Sequence, residues 1–199
     1  MRLLIDCTNV FWHPGVNSGI QRVVRNIVAN LPSPNSERTC VPVVLAGGKA
    51  YQVRSLIPGR RDARGLASLY TKLARLRAGV SSYYDGRKGT AGSFLRFLCR
   101  FFILPVAALM LVLRKTGFSP LSTRASPLVV ESGDELVLLD STWQEQYFKH
   151  LASLKAQGVK ITAVVYDIIP LTHPEFFQKR LRDIYAKWFA WVVEHADGF

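Results

Sequence analysis

Three clusters of residues able to do chemistry follow apolar runs in this chain of 199 residues. The first runs from Thr8 to Gly19, a loop bracketed by Gly15 and Gly19 with Asn17 and Ser18 between them. A helical pattern follows at once, with Gln21 and Arg22 in its first turn. Glycine can carry φ > 0 and lets a ligand approach the backbone. A helix start behind such a loop offers unpaired N–H groups and partial positive charge, which suits a phosphate. An ordinary strand–helix connection without a ligand has the same spacing. The second cluster, Asp140 to Trp143, closes the run ELVLLD. The flat face of Trp143 can stack on a sugar ring or pack in a core. The third, Tyr166 to Glu175, ends the run VKITAVVYD. Asp167 is expected to lie partly buried at the sheet's edge, where it orients a hydroxyl or caps the turn through Ile168 and Ile169. His173, between Pro170 and Pro174, can bond a ligand or stand in solvent. No motif sets Asp167 and Glu175 opposite a scissile bond as a hydrolase pair. The sequence holds no H-E-x-x-H, G-x-S-x-G, G-x-x-x-x-G-K-[ST] or G-x-G-x-x-G.

The elements that must position these clusters alternate. Leu3 to Ile5 reads as a strand of the kind buried on both faces of a parallel sheet. Gly19 to Leu31 predicts a helix with Ile20, Val23, Val24, Ile27, Val28 and Leu31 in one apolar stripe, Ser18 or Asn17 as its cap and Pro32 as its stop. Thr39 to Ala46 predicts a second strand, placed at an edge or bulged by Pro42 and ended by Gly47-Gly48. Glu135 to Asp140 is a third, followed by a helix from Trp143 to Gln157 with Tyr147, Leu151 and Leu154 inward and Gly158 as its cap. Val159 to Asp167 is a fourth, and Gln178 to His195 a further helix with Leu181, Ile184, Tyr185, Trp188 and Val192 on one side. The approach to another strand at Ala196–Phe199 reads as truncation. The pattern argues an α/β fold, a Rossmann-like doubly wound parallel sheet, whose ligands sit beyond the carboxyl ends of the strands.

Charge is localised. Between Arg54 and Arg124 lie fourteen Lys and Arg against two Asp, which accounts for the whole net charge of +12. That segment, about 54–126, breaks the alternation and reads as an insertion. It contains a helix-compatible stretch at 66–76, a loop-like stretch at 79–92, and the run FLRFLCRFFILPVAALMLVL from Phe94 to Leu113. Arg96, Arg100 and Pro105 argue for a helix in a membrane interface over a full crossing, with the basic residues meeting anionic head groups. Packing on the domain's own sheet is the alternative. The basic residues are interleaved with aliphatic ones, which disfavours a nucleic-acid surface. Three dispersed cysteines give neither a disulfide framework nor a zinc spacing, and fit a reducing cytoplasm. Cys7 reads as a buried small hydrophobe before it reads as a nucleophile.

The opening IDCTNVFWHPGVNSGIQRVVRNIV resembles the N-terminus of bacterial family 4 glycosyltransferases of polysaccharide and O-antigen assembly. LVLLDSTWQ, VKITAVVYDIIPLTHPEFF and HADGF resemble later segments of that family in the same order. The similarity covers about residues 2–48 and 134–199. It implies the N-terminal, acceptor-side lobe of a two-domain GT-B enzyme, with the donor-binding lobe outside these residues. It implies transfer, with retention, from a nucleotide-sugar to a glycan or lipid-linked glycan acceptor, without a bound metal or other cofactor. Gly15, Asn17, Ser18, Gly19, Gln21 and Arg22 then approach the donor, and Tyr166 and Asp167 lie beside the transferred sugar. Many relatives have histidine where Tyr166 stands, so a role needing an imidazole does not carry over. Trp143, His173 and Glu175 are the candidate acceptor contacts. The expected setting is the inner face of the cytoplasmic membrane. The contrasting reading is a basic nucleic-acid-binding or membrane-anchored α/β domain without catalysis.

Overall fold

The computed structural model describes residues 1–32, 39–57, 65, 66, 68–74, 76, 103–113 and 115–199. The chain divides into a main unit, Met1–Ile57 with Ala125–Phe199, and a second unit, Pro58–Arg124.

The main unit is α/β. Its strands are β1 (Arg2–Asp6), β2 (Thr39–Ala46), β3 (Lys49–Val53), β4 (Ala125–Leu128), β5 (Glu135–Leu138) and β6 (Lys160–Ala163). Its helices are α1 (Thr8–Trp12), α2 (Gly19–Ala29), α3 (Phe148–Ala156), α4 (Ile169–Thr172) and α5 (Lys179–His195). The strands form one open sheet in the order β4-β3-β2-β1-β5-β6. Strands β2, β1, β5 and β6 run parallel, whereas β3 and β4 are antiparallel. The sheet is thus mixed, which corrects the all-parallel expectation; it remains compatible with a Rossmann-like arrangement.

The two unforeseen strands have a local cause. Gly47 and Gly48 take φ of 58° and 74°, so the two-residue turn from Ala46 to Lys49 has the positive angles of a type I′ hairpin. Such a turn folds the chain straight back, and the short, half-polar KAYQV becomes β3 through its partner rather than its own composition. Pro42 stands in an interior strand, not an edge one. It pairs with Ile5 on the β1 side, while the β3 ladder starts one residue later, at Val43. Its missing N–H therefore costs no ladder bond.

Apolar side chains alternate across the strands. Leu4, Val41, Val43, Leu45, Leu136, Leu138, Ile161 and Ala163 make one face, covered by Leu151 and Leu154 of α3 and Tyr185, Trp188 and Val192 of α5. Val28 of α2 shares a cleft with Pro42 and Val53, which point to the opposite face. On α2 the inward residues are Gln21 and Val24, while Val23 and Ile27 are exposed and the helix ends at Ala29. The stripe is rotated because the amide of Gln21 is held by hydrogen bonds, described below.

Two predicted boundaries move. Residues after Asp140 form a loop and a 3₁₀ turn, Glu145–Tyr147, before α3 begins at Phe148, so Trp143 is not helical. β6 stops at Ala163, four residues before Asp167, where its ladder with β5 ends at Leu138; on its outer side Thr162 bridges to Gly198. Asp197 secures that bridge by accepting the Ile161 N–H at 2.8 Å and the Lys155 ammonium at 2.6 Å. At the amino-terminal ends of β1 and β5 the Arg2 guanidinium grips Asp134 at 2.6 and 3.0 Å. Burial pushes the Asp134 carboxyl upward, but these bonds and the Glu131 N–H hold it below its usual value.

The second unit has helical residues at 68–74 and 103–113 and a short helix, Pro120–Arg124. Leu104, Leu109, Leu111 and Val112 are exposed. The stretches 79–92 and 94–102 lie outside the described residues. Among the described residues no helix is long and apolar enough to cross a membrane.

Gly158 ends α3 in a Schellman arrangement, with its N–H on the Lys155 carbonyl at 2.9 Å and the Val159 N–H on Leu154 at 3.2 Å. Its φ is +85°, and a Cβ there would meet Ser132 Oγ at 2.4 Å. Gly133 has φ +89° but open space around it. Gly133→Ala is expected to cost only the left-handed penalty of about 1–2 kcal/mol. Gly158→Ala should cost measurably more, read as a lower urea midpoint than that of Gly133→Ala.

Candidate functional site

The strand order reverses between β1 and β5. From β1 the chain crosses to β2 on one side, and from β5 it crosses to β6 on the other. The crevice beyond the carboxyl ends of β1 and β5 is therefore a topological switch point, where open α/β sheets bind ligands.

Each of these strands leads into the same pattern, Asp-x-Thr: Asp6-Cys7-Thr8 after β1 and Asp140-Ser141-Thr142 after β5. The two aspartates and two threonines are buried. Asp6 accepts three hydrogen bonds, from the Thr8 N–H at 3.0 Å, the Thr8 hydroxyl at 2.5 Å and the Thr142 hydroxyl at 2.5 Å. Thr8 Oγ1 in turn accepts the Leu45 N–H at 2.9 Å, which ties the end of β2 into the cluster. Asp140 accepts the Val10 N–H at 2.7 Å and the Ser141 N–H at 2.8 Å. The Ser141 hydroxyl receives Asn9 Nδ2 at 2.8 Å and Gln21 Nε2 at 3.4 Å. A continuous polar network thus joins α1, the start of α2 and the loop after β5.

Burial and the nearby Asp140 charge push the Asp6 carboxyl up to about 7, against the hydroxyl and amide donors that favour its ionised form. Burial likewise raises Asp140, opposed by the Val10 and Ser141 N–H groups. Two ionised carboxylates in one dry site repel, so one of them holds its proton near neutral pH. Cys7, wholly buried beside them with its thiol on the Val43 carbonyl at 3.2 Å, is pushed well above the usual thiol range and serves as a core residue.

A pocket of 110 Å³ opens on the same rim. Ile20 from α2, Asp140, Trp143, Tyr166, Asp167, Tyr185 and Trp188 are among its walls. The structure thus brings the start of α2 and the Tyr166–Asp167 pair to one cavity. Tyr166 and Asp167 are exposed, which corrects the partly buried position expected for the carboxylate. Asp167 caps its own turn by accepting the Ile169 N–H at 3.1 Å, and its carbonyl accepts the Tyr185 hydroxyl. The Tyr166 hydroxyl donates to the Leu139 carbonyl at 2.9 Å. Trp143 lines the pocket and also packs edge-on against Tyr185, with ring centroids 5.1 Å apart. His173 and Glu175 pair with each other at 3.3 Å in solvent and are not among the pocket's walls.

The loop before α2 is shaped differently from the expectation. Neither Gly15 nor Gly19 has positive φ. Arg25 instead draws the loop in, donating to the Pro14 carbonyl at 3.0 Å, the Val16 carbonyl at 2.7 Å and Asn17 Oδ1 at 3.2 Å. Ser18 caps α2 in a capping box with Gln21, whose side-chain oxygen accepts the Ser18 N–H at 3.0 Å. Two of the amides expected to face a ligand are therefore already used. Arg22 is exposed beside them. Among the described residues no group of His, Cys, Asp and Glu could hold a metal ion.

Sequence reasoning placed Thr8, Asp140 and Thr142 within its candidate clusters but gave the two threonines no role, and it passed over Asp6. The repeated Asp-x-Thr after two apolar strands was the signal that could have found them. Comparison with family models, curated proteins and solved structures yields no match for this chain.

The raised Asp6 value sets a pH dependence. Its ordinary value is 3.8 and its folded value about 7, so between these limits the native state binds the extra proton. Stability therefore falls as pH rises through that window, by up to about 1.4 kcal/mol per pH unit for one proton. Asn resembles the protonated acid, so Asp6→Asn is expected to flatten the slope in chemical denaturation curves recorded across that range.

Proposed function

We propose that the chain is the acceptor-side, Rossmann-like lobe of a retaining GT-B glycosyltransferase that extends bacterial surface polysaccharide. One observation carries the reading: Ile20, at the start of the helix matched to the donor loop, lines the same pocket as Tyr166 and Asp167. Had these segments stood on opposite rims of the sheet, no single cleft could serve both.

The pocket's chemistry supports a division of labour. Its ionisable walls are Asp140, Asp167, Tyr166 and Tyr185, with no lysine or arginine among the lining residues described. Such a wall repels a diphosphate but suits the hydroxyls of a sugar ring. It also suits the positive charge that grows at the anomeric carbon as its bond to the leaving group lengthens. The diphosphate belongs at the start of α2, where Gly19 and Ile20 are the amides outside the capping box and Arg22 supplies charge. Preorganised N–H groups there stabilise the leaving oxygen without reorganising. The nucleotide itself is held by a second lobe outside these residues.

The second unit carries the basic excess, and the exposed leucines at 103–113 support a peripheral site on anionic lipid. Each basic residue near such a surface contributes roughly 1 kcal/mol. On this reading the acceptor is lipid-linked and is met at the cytoplasmic face.

The test is transfer of radiolabelled sugar from nucleotide donors to lipid-extracted acceptors. The protein read through its natural reading frame is expected to transfer, and residues 1–199 alone are not; transfer by the 199-residue chain overturns the assignment. In the active protein Asp167→Ala should lower kcat by about a hundredfold or more. Tyr166→Phe should change it little, because that hydroxyl is already committed to the Leu139 carbonyl.

A further inference from the structure

The helix at 103–113 in the second unit turns an apolar side to water. Every residue from 103 to 113 is apolar. Leu104, Pro105, Ala108, Leu109, Leu111 and Val112 are exposed, Leu104 at 65% and Leu111 at 55%. At 3.6 residues per turn these positions are contiguous and cover about half the circumference. Leu113 lies on the other half and is buried, with Val106 and Met110 half-buried beside it. A water-facing helix ordinarily shows the reverse, polar outward and apolar inward. A contiguous exposed apolar face of this kind marks a surface that another body covers.

Two further observations say what covers it. The first is charge: the segment Arg54–Arg124 carries fourteen Lys and Arg against two Asp, and exposed Lys115 stands at the C-terminal end of the helix. A second copy of the chain would bring the same positive charge to the contact, whereas anionic head groups neutralise it. The second is the way the helix ends. Gly117, at φ 85°, turns the chain so that the Phe118 N–H reaches the Leu113 carbonyl at 2.9 Å. The Thr116 hydroxyl donates to the Val112 carbonyl at 2.9 Å, beside the bond from its own N–H. These carbonyls are therefore met by the chain itself, as a helix end close to hydrocarbon requires.

We infer that the exposed face of this helix is buried below the head groups of one leaflet of an anionic membrane, with Lys115 at head-group level. In the sequence the apolar run Phe101–Leu113 is thirteen residues long, between Arg100 and Arg114. A helix of that length spans about 20 Å, against a hydrocarbon core of about 30 Å, so it enters without crossing. The inference rests on the lipid site proposed above and deepens it. Charge brings the second unit to the surface, and apolar burial then holds it there. Attachment by charge alone fails in about 1 M salt, where the Debye length falls to about 3 Å, whereas apolar burial persists. The transferase reading is not needed for any of this.

The test is flotation of the whole chain with vesicles of equal parts phosphatidylglycerol and phosphatidylcholine, followed by a wash in about 1 M NaCl. The chain is expected to float and to stay bound through the wash. Leu104→Gln combined with Leu111→Gln changes only exposed side chains, and an unchanged circular-dichroism spectrum checks that the fold is kept. That double variant should hold to the washed vesicles at least about tenfold more weakly, because two leucines are no longer buried in lipid. Ile57→Gln, at an exposed apolar position of the main unit, should behave as the unaltered chain. Complete release by salt overturns the insertion and leaves a salt-dependent lipid site standing. No flotation at all overturns both. Salt-resistant binding that the double variant retains in full overturns the assignment to this face. So does a lipid-free dimer that the double variant fails to form, since a second copy would then be the cover. None of these outcomes bears on whether the full protein transfers sugar.

Discussion

The main unit depends on the buried carboxyl of Asp6. A carboxyl group removed from water is tolerated only when its oxygens are met by donors. Here the donors come from Thr8 and from Thr142, on the far side of the switch point. The requirement to satisfy one acidic side chain thus fixes the end of β1 relative to the loop after β5. Through Thr8 and the Leu45 N–H it also reaches β2. A hydrophobic core fixes such distances only loosely, because apolar contacts are not directional. The polar cluster supplies the direction.

The position of this cluster explains why a cavity forms where it does. Strands β1 and β5 send their crossovers to opposite sides, so no connection covers the crevice between their ends. The network holds the crevice walls apart at a set spacing, with α2 on one side and the Tyr166–Asp167 loop on the other. Asp140 belongs to both network and wall. A group that bonds Asp140 from the pocket therefore acts on the same hydrogen bonds that hold α1 in place.

Much of this was legible in the sequence, and the failures share a cause. Apolar periodicity located β1, β2, β5, α2 and α5, because their residues face a core on their own account. It did not find β3 or β4, since KAYQV and ASPL become strands only through their partners. It extended β6 to Asp167, because apolar residues continue past Ala163 into a loop that lines the pocket. The candidate loops were placed on the correct rim, since that follows from strand direction. The side chains within them were not: Gln21 turned inward to Ser141 and Ser18, and Asp167 turned outward to cap Ile169. Such choices are made by hydrogen-bond partners distant in sequence, which spacing does not reveal.

The two borders of the sheet have a consequence of their own. On one border β4 is four residues long and carries Pro127, which has no N–H to offer a neighbouring strand. On the other, β6 is met at Thr162 by Gly198, with Asp197 fastening that segment down. The β4 flank is thereby a poor template for zipping on an incoming β-segment. Among the described residues, the groups crowning the carboxyl tips of β1 and β5 bring polar chemistry to a margin that no crossover covers.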